Sequence, residues 1–177
     1  MMQLTDSIKQ KAEKIKLFAM DVDGILSDGK IIYNSYDVET KAFFVQDGVG
    51  IKALQSFGIE IAIITGRTSP MVERRARELG ITHLIQGRDD KFTALQALAD
   101  TLGLSLHECA YMGDDLPDLK AVREAGLGIS VPNGCRETQA VADIVTDKTG
   151  GNGAVREVCD LILHAQGHYD AFIAQFE

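Results

Sequence analysis

The chain has 177 residues, 45% of them hydrophobic and 25% charged, with a formal net charge of −8. That length suits one compact domain with a real core, and the composition excludes a disordered chain. The acidic balance argues against nucleic acid or an anionic membrane surface as a partner, and no apolar run approaches the roughly 18 residues of a membrane span.

The first sixteen residues are polar with a helical pattern and lack the apolar stretch of a secretion signal. Cys109, Cys135 and Cys159 lie far apart without a CxxC pair, which suits small buried hydrophobes in a reducing compartment; a cytoplasmic location is expected. Ile15 to Met20 is a short apolar run ending in an acidic turn and reads as a buried strand. Lys30 to Asn34 and Thr40 to Gln46 read as the two arms of a projecting β-hairpin around Ser35-Tyr36-Asp37. The second arm, KAFFVQ, is apolar on both faces, so a partner is expected to cover it, preferably the same hairpin of another subunit. A helix follows from about Asp47 to Phe57, then the β-branched strand Ile59 to Ile64 between two glycines.

Ser69-Pro70 predicts a helix start and Gly80 its stop, Lys91 opens another helix, and Ser105 with Glu108 fits a capping box. Cys109 to Met112 and Leu127 to Val131 are further short strands. The last long helix is expected from about Gly153 to Gln166, with Val155, Val158, Cys159 and Ile162 on one stripe. His164 and His168, near its end, have no third ligand in view and read as surface residues. Short strands alternating with helices predict an α/β fold: a Rossmann-like parallel sheet with helices on both faces, forming a single domain over residues 1–177. Such sheets bind ligands at the C-terminal ends of their strands, so chemistry-bearing residues should fall just after strands.

Four segments meet that test. Asp21 and Asp23, in Asp21-Val-Asp23-Gly24, put two carboxylates on one tight turn, unfavourable unless a cation lies between them or one is protonated. One can serve as nucleophile and the other as acid, though a polar turn with incidental acids has the same pattern. Thr65-Gly66-Arg67 offers a hydroxyl and backbone N–H groups near a helix start, a phosphate cradle or an ordinary turn. Lys91, taken alone at the start of a helix, reads as a solvated surface charge, and nothing local says otherwise. Asp114, Asp115 and Asp118 supply hard oxygen ligands of the kind Mg²⁺ takes; helix-start acidity accounts well for Asp118 and less well for Asp114.

In this order and spacing the four segments resemble the haloacid-dehalogenase superfamily of phosphatases, over roughly Ile15 to Val145. The resemblance implies Asp21 as nucleophile, Asp23 as acid and then base, and Thr65, Gly66 and Lys91 around the transferring phosphoryl group. It implies Mg²⁺ held by Asp21, the Asp23 backbone carbonyl and Asp114, supported from behind by Asp115 or Asp118. The 41 residues between Asp23 and Thr65, and the 22 between Lys91 and Asp114, leave no room for a cap domain. Specificity is then expected to come from a neighbouring subunit.

DVDGILSDGKIIY, KAFFVQDGVGI, TGRTSPMVERRA, GITHLIQG and TGGNGAVREVCDLIL carry a closer resemblance, to the 3-deoxy-D-manno-octulosonate 8-phosphate phosphatases. It implies a small phosphorylated sugar acid as substrate, a Mg²⁺-dependent cytoplasmic homotetramer, and a place in lipopolysaccharide inner-core sugar synthesis. A sugar acid needs a carboxylate reader; Arg67 and Arg75 are the candidates, with Arg75 also readable as the solvated face of an Arg-rich helix. The Gly150–Gly153 loop offers backbone N–H groups to a ligand, or merely a flexible helix entry. Nine-carbon sugar acid phosphates are the alternative substrates, some of whose phosphatases carry glutamate where this chain has Arg67. A non-catalytic assembly domain of the same fold is the alternative from another class.

Overall fold

The computed structural model describes residues 5–177, so the first four residues of the predicted N-terminal helix lie outside the described part. The elements are α1 (Asp6–Ala12), β1 (Leu17–Met20), β2 (Ile32–Tyr33), β3 (Glu39–Thr40), α2 (Val45–Ser56), β4 (Glu60–Ile64), α3 (Pro70–Leu79), β5 (His83–Ile85), α4 (Lys91–Leu102), β6 (Cys109–Met112), α5 (Leu119–Glu124), β7 (Leu127–Ser130), α6 (Arg136–Val141), β8 (Ile144–Val145), α7 (Ala154–Ala165) and α8 (Tyr169–Ile173). Six strands form one parallel sheet in the order β5-β4-β1-β6-β7-β8. The order reverses beside β1, whose Met20 is in register with Ile63 on one side and Met112 on the other.

Both faces of the sheet are covered, which is why its central strands β1 and β6 are buried at every position rather than alternating. Phe18, Met20, Ile61 and Ile63 pack under α2, α3 and α7, while Leu17, Ala19, Ala62 and Ile64 pack under α4 and α5. The predicted stripe of α7 is buried as expected. Gly80 ends α3 in the left-handed conformation, and Ser69 occupies its N-cap without a side-chain hydrogen bond. The Ser105–Glu108 capping box forms, on a single 3₁₀ turn (Leu106–Glu108). Strands β5 and β8 are too short to be distinguished from loop by pattern alone.

The hairpin differs from its sequence reading. Only Ile32–Tyr33 pair with Glu39–Thr40, closed by a turn in which the Asn34 side chain accepts from the N–H groups of Tyr36 and Val38. The arm read as Thr40 to Gln46 leaves the ribbon after Thr40, and Val45 already opens α2. KAFFVQ is apolar on both sides because it is not a strand: Phe43 packs against the core and Lys41 turns toward the strand ends. Ile31, Ile32, Tyr33, Tyr36 and Val38 remain exposed on the ribbon.

After Gly167 the chain folds back on its own α2–α7 surface. Phe172 is buried, His168 stacks on Phe57 and His164 on Tyr169. Both histidines are thus aromatic packing partners. Between Asp23 and Thr65 stand only the ribbon, α2 and β4, and between Lys91 and Asp114 only α4, one 3₁₀ turn and β6, so neither insertion holds a cap domain.

Candidate active site

The C-terminal ends of β1, β4 and β6 converge on a cavity of about 330 Å³ lined by Asp21, Asp23, Thr65, Gly66, Arg67, Lys91, Asp114 and Asp118, among others. Asp21 follows β1 directly, its N–H bound to the carbonyl of Met112, and is almost fully buried. The next turn needs Gly24: its φ is +94°, and a Cβ there would lie 2.1 Å from Asp114 Oδ2. That close approach brings the first acidic turn against the second.

Lys91, a surface charge on local reasoning, is buried at the first position of α4. Its Nζ lies 2.8 Å from Asp21 Oδ2 and 2.8 Å from Asp118 Oδ1. Asp118 is fully buried and has both oxygens occupied. Oδ1 also accepts from the Tyr111 hydroxyl at 2.7 Å, and Oδ2 accepts from the N–H groups of Asp114 and Asp115, each at 3.3 Å. It therefore anchors the ammonium and the second acidic turn together, a stronger reason for its presence than helix-start acidity. Asp115 caps the 3₁₀ turn Leu116–Asp118.

Oxygens of Asp21, Asp114 and Asp118 lie within 4.8 Å of one another. Burial and the Asp118 charge push Asp21 up to about 6, outweighing the lowering effect of Lys91; burial with Asp21 and Asp118 pushes Asp114 up to about 7. Burial also opposes the charge of Lys91, but the two carboxylates prevail and its pKa is raised. The partners move in these directions because one ammonium serves three carboxylates. Asp21 Oδ1 and Asp114 Oδ1 are buried without a hydrogen-bond partner, and hard, anionic, unpaired oxygens are what Mg²⁺ takes. The residues fit a divalent cation.

A pH dependence follows. Asp21 and Asp114 ionise at higher pH folded than in an unfolded chain, where both stay near 3.8. Between about pH 4 and 7 the folded state binds more protons, so metal-free stability falls as pH rises through that window. Thermal melts in chelator should show a higher Tm at pH 5 than at pH 8. Added Mg²⁺ should raise Tm by several degrees at pH 8 and little at pH 5, where it must displace protons. A Mg²⁺ shift equal at both pH values would contradict the assignment of this trio.

Thr65 follows β4, is buried, and its hydroxyl accepts from the Arg67 N–H at 3.4 Å. The Arg67 guanidinium is partly exposed at the cavity wall. It donates to Glu39 at 3.1 Å and lies 3.7 Å from Asp23. Lys41 completes this group: its side chain is 1% exposed and pairs with both Asp23 and Glu39. Sequence reasoning missed Lys41 because it was assigned to a strand arm, and its partner Asp23 lies 18 positions away with no local signal to mark the pair.

Arg75 does not line this cavity. It lies along α3, 3.6 Å from Glu78 and stacked over Phe43. The Gly150–Gly153 loop also departs from the ligand-binding reading. Gly150 N–H donates to Asn133 Oδ1, Gly151 N–H to the Ile25 carbonyl and Asn152 N–H to the Thr149 carbonyl. Its glycines permit close packing: a Cβ on Gly150 would lie 1.7 Å from the Gly24 carbonyl oxygen.

Residues 83–158 match the haloacid dehalogenase-like hydrolase family. The 3-deoxy-D-manno-octulosonate 8-phosphate phosphatase KdsC of Escherichia coli (strain B / BL21-DE3) is 47% identical over 92% of this chain and 87% of its own length. The chain belongs to the 3-deoxy-D-manno-octulosonate 8-phosphate phosphatase family. A crystal structure of that phosphatase from Moraxella catarrhalis, in complex with magnesium ion, phosphate ion and KDO, superimposes with a TM-score of 0.97 at 70% identity, covering 98% of this chain and 100% of the other. The cobalt-bound form from Haemophilus influenzae superimposes at 0.89 with 40% identity, covering 94% and 98%. Members of the phosphatase family thus share this fold over nearly the whole chain, including its lack of a cap.

Proposed function

We propose that the chain hydrolyses 3-deoxy-D-manno-octulosonate 8-phosphate to the free sugar acid and inorganic phosphate, with Mg²⁺ as cofactor. The observation that carries this reading is a phosphatase-family chain whose buried nucleophile candidate, Asp21, shares a cavity with Lys91, Thr65 and the clustered carboxylates of Asp114 and Asp118. In this reading Asp21 attacks phosphorus, the bond from phosphorus to the sugar oxygen breaks, and Asp23 gives that oxygen its proton. Asp23 then takes a proton from water as the water attacks the aspartyl-phosphate, and phosphate leaves. Thr65, the Gly66 N–H and Lys91 hold the phosphoryl oxygens. Mg²⁺ is held by Asp21, the Asp23 backbone carbonyl and Asp114, and when bound offsets charge on the carboxylate and the phosphoryl oxygens. Asp118 and Asp115 support these groups from behind.

Arg67 is the carboxylate reader, held at the cavity wall by Glu39. Arg75, away from the cavity within this chain, has no such support. Within residues 30–46, the ribbon up to Thr40 forms the oligomerisation element. The exposed apolar residues of the ribbon favour a homo-oligomer, a tetramer by resemblance, with a neighbour roofing the site. No helix among the described residues is long and apolar enough to cross a membrane. The enzyme works in the cytoplasm, in lipopolysaccharide inner-core sugar synthesis.

Phosphate release should be measured with and without Mg²⁺ on the octulosonate 8-phosphate, sialic acid and KDN 9-phosphates, and simple hexose phosphates. The expected result is Mg²⁺-dependent preference for the eight-carbon acid. Preference for a nine-carbon acid would transfer the assignment to that substrate, and no release would favour a non-catalytic assembly domain. Arg67→Ala should lower kcat/KM for the sugar acid roughly tenfold to a hundredfold, the worth of a charged hydrogen bond, and leave the hexose phosphates nearly unchanged. An equal loss on both would remove Arg67 as carboxylate reader.

A further inference from the structure

The loop after β7 lies outside the cavity wall, yet it touches the backbone beneath both halves of the acidic cluster. Asn133 uses both ends of its carboxamide. Nδ2 donates to the Gly24 carbonyl at 3.1 Å, and Oδ1 accepts from the Gly150 N–H at 2.8 Å. Gly24 is the residue after Asp23, and it is pressed against the Asp114 carboxylate so closely that no side chain fits between them. Two residues further along the same loop, the Cys135 N–H donates to the Asp114 carbonyl at 2.7 Å, joined by the Thr138 hydroxyl at 2.9 Å. One short segment therefore holds the turn after β1 by Gly24 and the turn after β6 by Asp114.

The segment is itself held fast. The Gln139 side-chain amide, from α6, donates to the carbonyls of Val131, Pro132 and Gly134 at 3.1, 3.2 and 2.8 Å. Gly134 closes a turn onto the Val131 carbonyl at 2.9 Å. A loop pinned at three carbonyls transmits position. Because the groups to be positioned include oxygens with no hydrogen bonds of their own, their separation depends on such backbone anchors.

We propose that Asn133 is a positioning residue for the divalent-cation cradle: anchored on the Gly150 N–H, it holds the Gly24 carbonyl to the loop whose Cys135 N–H holds the Asp114 carbonyl, and so sets the distance between the Asp23–Gly24 backbone and Asp114. It does not line the cavity and is assigned no contact with substrate. This inference rests on the Mg²⁺-dependent reading above. Its effect is on cation affinity first and on turnover only through that affinity.

The test is Mg²⁺ binding to the purified full chain without substrate, by titration calorimetry at pH 8, for the parent and Asn133→Ala. The expected result is a Kd roughly tenfold or more higher in the variant, in line with other residues that orient metal ligands. Most of the kcat should return at saturating Mg²⁺, with an unchanged KM for the sugar phosphate. A merely structural role would lower Tm without moving the Mg²⁺ Kd. An unchanged Kd, or lost kcat that saturating Mg²⁺ does not restore, overturns the proposal. Should Asn133→Ala fail to fold by circular dichroism, Asn133→Ser carries the same test, since its short hydroxyl cannot span both partners. Failure of the parent chain to bind Mg²⁺ would overturn the hydrolase reading, whereas normal parent binding with an unaltered variant overturns this inference alone.

Discussion

Asp21→Asn should lower phosphate release by roughly 10⁴-fold or more, the scale seen when a nucleophile is removed from a machine whose other parts remain. The amide keeps the shape of the side chain but has no anionic oxygen to attack phosphorus. The same substitution should leave Tm in chelator at pH 8 at or above that of the parent. Asp21 is held near pKa 6 by burial and by Asp118, so its ionised form weakens the metal-free fold at pH 8, and an uncharged isostere relieves that repulsion. Lys91 keeps Asp118 as a partner at 2.8 Å and is not stranded. Rate assays with melts on the same preparation check both halves. Appreciable turnover would remove Asp21 as nucleophile, and a sharp fall in Tm would assign it mainly a structural role.

Lys91→Met should damage both activity and stability. It strips the only ammonium facing Asp21 and Asp118 within hydrogen-bonding distance among the described residues, and both carboxylates are nearly inaccessible to water. Breaking a buried pair from one side costs about 3–5 kcal/mol, because the charge left behind is neither paired nor hydrated. For a chain of this size that is a fall in Tm of about 10 °C. The penalty should shrink at pH 5, where Asp21, already raised to about 6, takes up a proton, and Mg²⁺ should recover part of the stability at pH 8. Activity should not recover with it, since the phosphoryl oxygens lose a donor. Lys91→Arg tests the geometry: it returns the charge on a longer planar group that does not fit the same two 2.8 Å contacts. Equal Tm losses at pH 5 and pH 8 would show that the methionine fails by packing rather than by charge.

The division between sequence and tertiary structure follows from the range of the interactions. Strand–helix alternation, the start of α3 at Ser69-Pro70 and its stop at Gly80 were legible because they depend on neighbours a few residues away. Asp21, Thr65 and Asp114 were legible as candidates for a related reason: each directly follows or closely trails an apolar run, and parallel sheets collect such positions at one edge. Strand pattern failed where the signal had two sources. KAFFVQ is apolar on both sides because Phe43 joins the core and Val45 starts a helix.

What only the tertiary structure decided is which distant groups meet. Lys91 and Asp118 are 27 positions apart, and nothing local distinguishes that lysine from a solvated one until α4 is packed on the sheet. Lys41 reaches Asp23 across 18 positions, while Arg75, on an arginine-rich helix, is turned along that helix to Glu78. Asn133 bridges Gly24 and Gly150, partners on either side of it in sequence that share no periodic relation. Sequence by itself determined the elements and the residue types carried to the strand ends, because periodicity and turn chemistry are local. The charge balance among those residues, and the anchors that set their spacing, came from packing, which brings buried groups together at ångström distances regardless of their separation along the chain.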